Sequence, residues 1–168
     1  CFRNNKNENN KTFLIHNKCH PQTISVVKTR AKPLNIKIKL IDDFKEDNLK
    51  ESFGILIQYP DTYGHINNLN NIIQDCHNNN ILVCVASDLL SLALIKPPGE
   101  MDADVVIGNS QRFGTPLGFG GPHAAFFATK NKFIRSMPGR IIGVTVDKRG
   151  KKTYRMALQT REQHIRRD

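Results

Sequence analysis

The sequence predicts an α/β fold, a mostly parallel sheet flanked by helices, and three observations carry that expectation. Residues 53–59 and 81–86 are apolar on both faces, as parallel strands covered by helices must be. Between them Ile66, Leu69, Ile72, Ile73 and Cys76 recur at helical spacing and complete one βαβ unit. Such crossovers are almost always right-handed, so the two strands run parallel and end on the same sheet edge, where open α/β sheets bind ligands.

Each element follows in chain order. Residues 1–11 are polar, Asn-rich and without periodicity, and read as a loop or linker because they bury too little surface to offset the entropy of ordering. The apolar run Thr12–Ile15 predicts a strand. Pro21 suits a first helical position, and Ile24, Val27 and Ala31 continue a helix that stops before Pro33. Ile36, Ile38 and Leu40 alternate with Lys37 and Lys39, the two-residue period of a half-buried strand near a sheet edge. The Asn residues within 66–76 are poor helix formers, so packing must hold that helix together. Asp88 precedes Leu89, Leu92 and Leu94, which predict a further helix with Asp88 as its cap. Residues 104–107 and 124–128 predict two more strands, closing an α/β segment over 12–146, and 147–168 reads as a basic connecting segment that is cut short.

Composition narrows the function classes. The 168 residues suffice for one ordinary domain, yet the chain starts at Cys1 and stops at Asp168 with no stop signal nearby, so both ends are expected to be cut and apolar edges to be exposed. A formal charge of +10 raises nucleic acid and anionic membranes as partners. The cations spread from Arg3 to Arg167 without clustering, so nucleic acid is not expected, and no apolar stretch approaches the ~20 residues that span a bilayer. Cys1, Cys19, Cys76 and Cys84 form no Cys-x-x-Cys pair, which suits a reducing compartment. His16, Cys19 and His20 have no second ligand pair at zinc-like spacing, so no metal is expected.

Three loops leave the carboxyl ends of the central strands. The first, containing Tyr59, Thr62 and Tyr63, offers hydroxyls and a carboxylate for an anionic ligand, although Pro60-Asp61 and Gly64 equally suit a tight turn. In the second, Asp88 could partner a cofactor ring nitrogen or cap a helix, and the cap is favoured. The third carries Gln111 and Arg112 into the glycine-rich run 114–121 and His123. That run matches neither a Walker A loop nor Gly-x-Gly-x-x-Gly, so close packing competes with anion binding, and His123 alone reads as a structural histidine. The arginines of 135–140 and 155–161 suit either fixed forks onto anions or a solvated face. No Ser-His-Asp order, nucleophile elbow or His-Glu-x-x-His is present. The residues alone reach a ligand-binding α/β domain.

Several segments, in order, carry a resemblance. They are His20-Pro-Gln-Thr-Ile24, Gln58-Tyr-Pro-Asp-Thr-Tyr-Gly64, Ala86-Ser-Asp-Leu-Leu90, Lys96-Pro-Pro-Gly-Glu100 and Gly108-Asn-Ser-Gln-Arg-Phe-Gly114. Further on come Gly118-Phe-Gly-Gly-Pro-His-Ala-Ala-Phe-Phe-Ala-Thr129, Arg135-Ser-Met-Pro-Gly-Arg140 with its continuation to Val144, and the run from Arg155 to Arg167. From about Lys11 onward the chain resembles the amino-terminal half of the glycine dehydrogenase (decarboxylating) family, the P-protein of the glycine cleavage system.

The resemblance implies the large domain of an aminotransferase-like (fold type I) pyridoxal-phosphate enzyme. That enzyme decarboxylates glycine and transfers the aminomethyl group to the lipoyl group of the H-protein. Such chemistry needs a lysine amine for a Schiff base. The family chain is built of two similar halves, and the catalytic half carries His-Lys where this sequence has Gln111-Arg112. Arginine stays protonated at any physiological pH and offers no free amine. The resemblance therefore implies the non-lysine half, a scaffold of the active site, with pyridoxal phosphate bound by a lysine outside this chain. Aligning the Pro-Gly of both halves puts the ring-nitrogen carboxylate position near Val85, so Asp88 does not inherit that role.

No catalytic, cofactor-binding or metal residue is assigned here. Tyr59, Thr62, Tyr63, Asp88, Gln111, Arg112 and His123 are expected at the rim or at an interface. The partners implied are the catalytic half of the same enzyme, the lipoyl-carrying H-protein and glycine. The compartment implied is the mitochondrial matrix in a eukaryote and the cytoplasm in a bacterium. A non-catalytic binding module that retains the fold is the alternative, and a separate pyridoxal-phosphate enzyme using Lys96, Lys130 or Lys132 ranks last.

Overall fold

The computed structural model describes residues 1, 11–45, 49–116, 118, 124–137 and 139–159. They fall into two compact units, 1–129 and 130–168. In the first, a six-stranded sheet is formed by β1 (Thr12–His16), β2 (Lys37–Ile41), β3 (Ser52–Tyr59), β4 (Leu82–Asp88), β5 (Val105–Asn109) and β6 (Ala125–Thr129). The spatial order is β2-β1-β3-β4-β5-β6, with the first five strands parallel and β6 antiparallel to β5. The expected mostly parallel sheet is thus present, and β2 lies at its edge as the Ile/Lys alternation predicts.

Alternation along the central strands fills both faces. Ile55, Ile57, Val83 and Val85 face Leu69, Ile73 and Cys76, which belong to or lead into helix α2 (Asn70–Asn78). Leu56, Cys84 and Ala86 face Ile24 and Val27 of helix α1 (Pro21–Ala31) on the other side. Every residue of β3 is buried. Asp104, fully buried, ties these layers together: its Oδ2 accepts the Val83 N–H at 3.0 Å and lies 2.8 Å from His77 Nε2 at the end of α2.

The order 2-1-3 reverses the direction of winding between β1 and β3, the topological switch at which open α/β sheets offer a crevice. Two loops meet there. Thr62 donates from both its N–H and its hydroxyl to the Lys18 carbonyl, at 3.0 and 2.8 Å, so the loop after β3 is laced to the loop after β1.

Three expectations need correction. The helix expected from Ile66 starts at Asn70, because Asn68 Oδ1 accepts the Asn70 N–H at 3.0 Å and this local bond competes with the helical one; Ile66 is exposed. No helix capped by Asp88 spans 89–94. Asp88 Oδ1 takes the Leu90 N–H, the Ser91 hydroxyl bonds back to the Asp88 carbonyl, and only a 3-10 turn, Ser91–Ala93, forms, leaving Leu94 93% exposed. Lastly, 147–168 is no mere connection where it is described. β7 (Arg140–Val146) and β8 (Lys152–Gln159) pair as an antiparallel hairpin, so a boundary drawn at 146 falls inside that hairpin. Its turn is built by Asp147, whose Oδ1 accepts the N–H groups of Arg149 and Lys151, with Gly150 at φ 75°.

Among the described residues no helix is long and apolar enough to cross a membrane. No group of three His, Cys, Asp or Glu among them could hold a metal ion.

Candidate functional site

The carboxyl ends of β3, β4 and β5 open into a cavity of about 850 Å³ on the α1 face of the sheet. Register decides what lines it. Gln58, Ala86, Asp88, Ile107 and Asn109 come from the strand positions facing α1, and His20 and Thr23 come from the start of α1. Arg112 enters from the 3-10 turn Gln111–Phe113 that follows β5, a turn anchored by the Gln111 N–H on Asn109 Oδ1 at 3.1 Å.

At the centre of this rim stands an ion pair, Arg112 Nη1 to Asp88 Oδ2 at 3.0 Å, with the two side chains 67% and 24% exposed. It closes the gap between the ends of β4 and β5 and is open to solvent on one side. Beside it, His20 Nδ1 lies 3.0 Å from Thr62 Oγ1. Since the Thr62 hydroxyl donates to the Lys18 carbonyl, its oxygen is left to accept from His20 Nδ1–H. The seam behind the pair is tight: a methyl group at Gly108 would sit 2.1 Å from the Ser87 carbonyl oxygen.

A smaller cavity of about 400 Å³ opens on the opposite face near the switch, lined by His16, Asp42, Tyr59 and Asn67 among others. His16 is buried and stacks on Phe44 with ring centroids 4.8 Å apart; burial lowers its imidazole pKa. Tyr59 is a buried core residue whose phenol is pushed up by the same cause. Next to it lies Asp61, 5% exposed. Burial alone would raise its carboxyl, but hydrogen bonds from the N–H groups of His65 and Tyr63 and from the His65 ring outweigh that and hold it below the ordinary carboxylate value. Lys18 Nζ lies 3.8 Å away. Asp61 is therefore the brace of this loop.

Of the residues singled out from the sequence, the structure brings Asp88 and Arg112 together, with Gln111 opening the turn that carries Arg112. Thr62 reaches the same rim through His20. Tyr59 faces the other side of the sheet, and Tyr63 is 73% exposed, its ring tilted against His65. His123 lies outside the described residues. Sequence reasoning missed His20, Gln58 and Asn109 as cavity residues and Asp61 as the brace. Their signal was position, since each lies within a few residues of a strand's carboxyl end.

Among the described residues, no lysine lines the 850 Å³ cavity. The side chain leaving the end of β5 is Arg112, already paired with Asp88, and Val85 is an apolar residue buried in the core. Lys96 lies in the connection that returns to the amino end of β5. Thr129, just before Lys130 in sequence, pairs with Val105 at that same amino edge, opposite the cavity.

Comparison with known proteins gives the family. The family model for the Glycine cleavage system P-protein matches residues 1–168. The chain belongs to the glycine cleavage system P-protein family. It is 53% identical over 168 residues to glycine dehydrogenase (decarboxylating), mitochondrial, of Dictyostelium discoideum, covering 100% of this chain and 17% of that relative. It is 55% identical, with the same coverage, to glycine dehydrogenase (decarboxylating) of the bacterium Photobacterium profundum. The chain thus spans about 17% of the length of these curated P-protein relatives.

Among solved structures it matches an inhibitor-bound glycine decarboxylase (P-protein) of the glycine cleavage system. That match has a TM-score of 0.82 and 32% identity over 95% of this chain and 38% of that one. A cystathionine gamma synthase from Xanthomonas oryzae pv. oryzae, 19% identical with a TM-score of 0.57 over 73% of this chain and 33% of that one, shares the fold alone. The chain therefore has the aminotransferase-like (fold type I) architecture.

Proposed function

We propose that this chain is the non-lysine half, or part of it, of a glycine-decarboxylating P-protein, and that it scaffolds an active site whose lysine lies elsewhere in the protein. The observation that carries this is the Arg112–Asp88 pair at the carboxyl ends of β4 and β5. A guanidinium held there can bind and orient an anion but cannot supply a free amine. When bound in the complete enzyme, pyridoxal phosphate supplies the electron sink for decarboxylation.

The work of this chain is structural and electrostatic. The ion pair fixes the edge of the 850 Å³ cavity, His20 and Asn109 set its polarity, and the Thr62–Lys18 clasp holds the neighbouring loops in place. Glycine, the catalytic half and the lipoyl-carrying H-protein are the partners of that complete enzyme. The compartment follows the source, the mitochondrial matrix in a eukaryote and the cytoplasm in a bacterium.

Exchange of labelled bicarbonate into the glycine carboxyl tests the reading. The complete protein with H-protein is expected to exchange, and a protein lacking this segment is expected to lose exchange. Equal exchange without the segment would make it a non-catalytic binding module.

A further inference from the structure

The 850 Å³ cavity at the carboxyl ends of β3, β4 and β5 has the size of a small-molecule site, and three features of its lining restrict what it can hold. The first is a buried amide. Gln58 is 8% exposed, lies in register with Ala86 on the side of the sheet that faces α1, and its side chain makes no hydrogen bond to a described residue. A buried amide without a partner costs free energy, which a polar group bound beside it removes. The second is a pair of opposite charges at one point of the rim. Asp88 is fixed by the Leu90 N–H on Oδ1 and meets Arg112 Nη1 with Oδ2, while the guanidinium, 67% exposed, keeps further N–H donors beyond that one. The third is an apolar wall. Ile107 pairs across the ladder with Phe127, which is 40% exposed, and Ala86 lies next to Ile107 in register on β4.

Charge selects the ligand class. The Asp88 carboxylate offsets the Arg112 guanidinium, so a phosphate or a dicarboxylate would meet repulsion beside its attraction. A zwitterion meets none. An α-amino acid carries its carboxylate and its ammonium on neighbouring carbons, and adds no net charge to the cavity when the first bonds Arg112 and the second Asp88. The wall selects within that class, because an apolar side chain dries Ile107 and Phe127 whereas glycine leaves them in water. We propose that this cavity binds an α-amino acid with an apolar side chain, its charged end between Arg112, Asp88 and the Gln58 amide and its side chain against Ile107 and Phe127. The inference rests on the reading of this cavity as the working rim of the chain, and adds to it a ligand other than glycine.

The test irradiates the complete protein with photo-leucine, the diazirine analogue of leucine, and maps labelled peptides by mass spectrometry. Leucine, glycine, isocaproate and isoamylamine compete at equal concentration; the last two each lack one of leucine's charges. The expected result is label on the peptides carrying Ile107 or Phe127, displaced by leucine, roughly tenfold less well by either one-charge analogue, and not by glycine. No label on those peptides, or displacement by glycine or a one-charge analogue as effective as by leucine, would overturn the proposal. Gln58→Leu removes the amide at similar volume, and Asp88→Asn removes the charge while keeping an acceptor for the Leu90 N–H. Each is expected to cut the label roughly tenfold, and undiminished label in either folded variant would also overturn it; Asp88, at the rim, carries this arm if the change in the core at 58 does not fold. Glycine–bicarbonate exchange is measured on the unmodified protein in parallel. Exchange without label in the cavity overturns the ligand and leaves the function standing, whereas label without exchange does the reverse.

Discussion

Replacing Gly108 by alanine drives a methyl group into the seam between β4 and β5. The added carbon would lie 2.1 Å from the Ser87 carbonyl oxygen and 2.5 Å from Cε1 of Phe126, where contacts under 3.0 Å essentially never occur. The first of these neighbours is backbone, in register with Gly108 across the ladder, so the strands themselves must part by about 1 Å in an interior packed to crystal density. Overpacking of this kind costs about 1–3 kcal/mol. Amide exchange within β4 and β5 of the complete protein reads that cost locally, as a rise of roughly 5- to 150-fold. Gly99→Ala is the control, because nothing lies within 4 Å of its added carbon. Exchange in Gly108→Ala no faster than in Gly99→Ala would refute the close approach that shapes the cavity's floor.

Further outcomes follow from the same packing. Asp104→Ala leaves the Val83 N–H and His77 without their acceptor in a fully buried site, and is expected to cost about 3 kcal/mol, read as a lower urea midpoint. The Cys19, Cys76 and Cys84 thiols, pushed up to about 12 by burial, are expected to resist iodoacetamide at pH 8 in the native protein and to react once it is unfolded. His16 is acid-sensitive. Because its folded pKa lies below the ordinary 6.5, the unfolded chain binds the proton first; its contribution to stability is complete above 6.5 and falls as pH drops toward 5. A shallower loss of urea midpoint between pH 7 and 5 in His16→Gln checks this.

Much of the fold was legible because its signals are local. The unbroken apolar runs of β3 and β4 can be satisfied only between two helical layers, and the Ile/Lys alternation of β2 marks an edge. The misreadings share a cause: short polar side chains bonding their own backbone. Asn68 delays α2, Asp88 and Ser91 stop a leucine-spaced segment from becoming an α-helix, and Asp147 folds a hairpin where the sequence read a connection. Helical spacing registers where apolar residues fall and is blind to such competition. The site was half legible. Asp88 and Arg112 could be chosen from their places after strands, but their meeting at 3.0 Å depends on β4 and β5 being neighbours with Asp88 in register with Asn109. Asp61 looked like a turn residue, and its burial under His65 is a tertiary fact.

The claim at the centre is that the reactive lysine lies outside this chain. Borohydride reduction of the complete protein in the presence of pyridoxal phosphate, followed by peptide mapping, locates it directly. The expected result is a single pyridoxyl-labelled lysine beyond residues 1–168, with Arg112 unmodified. A label on Lys96, Lys130 or Lys132 would contradict the account and make this chain catalytic in its own right.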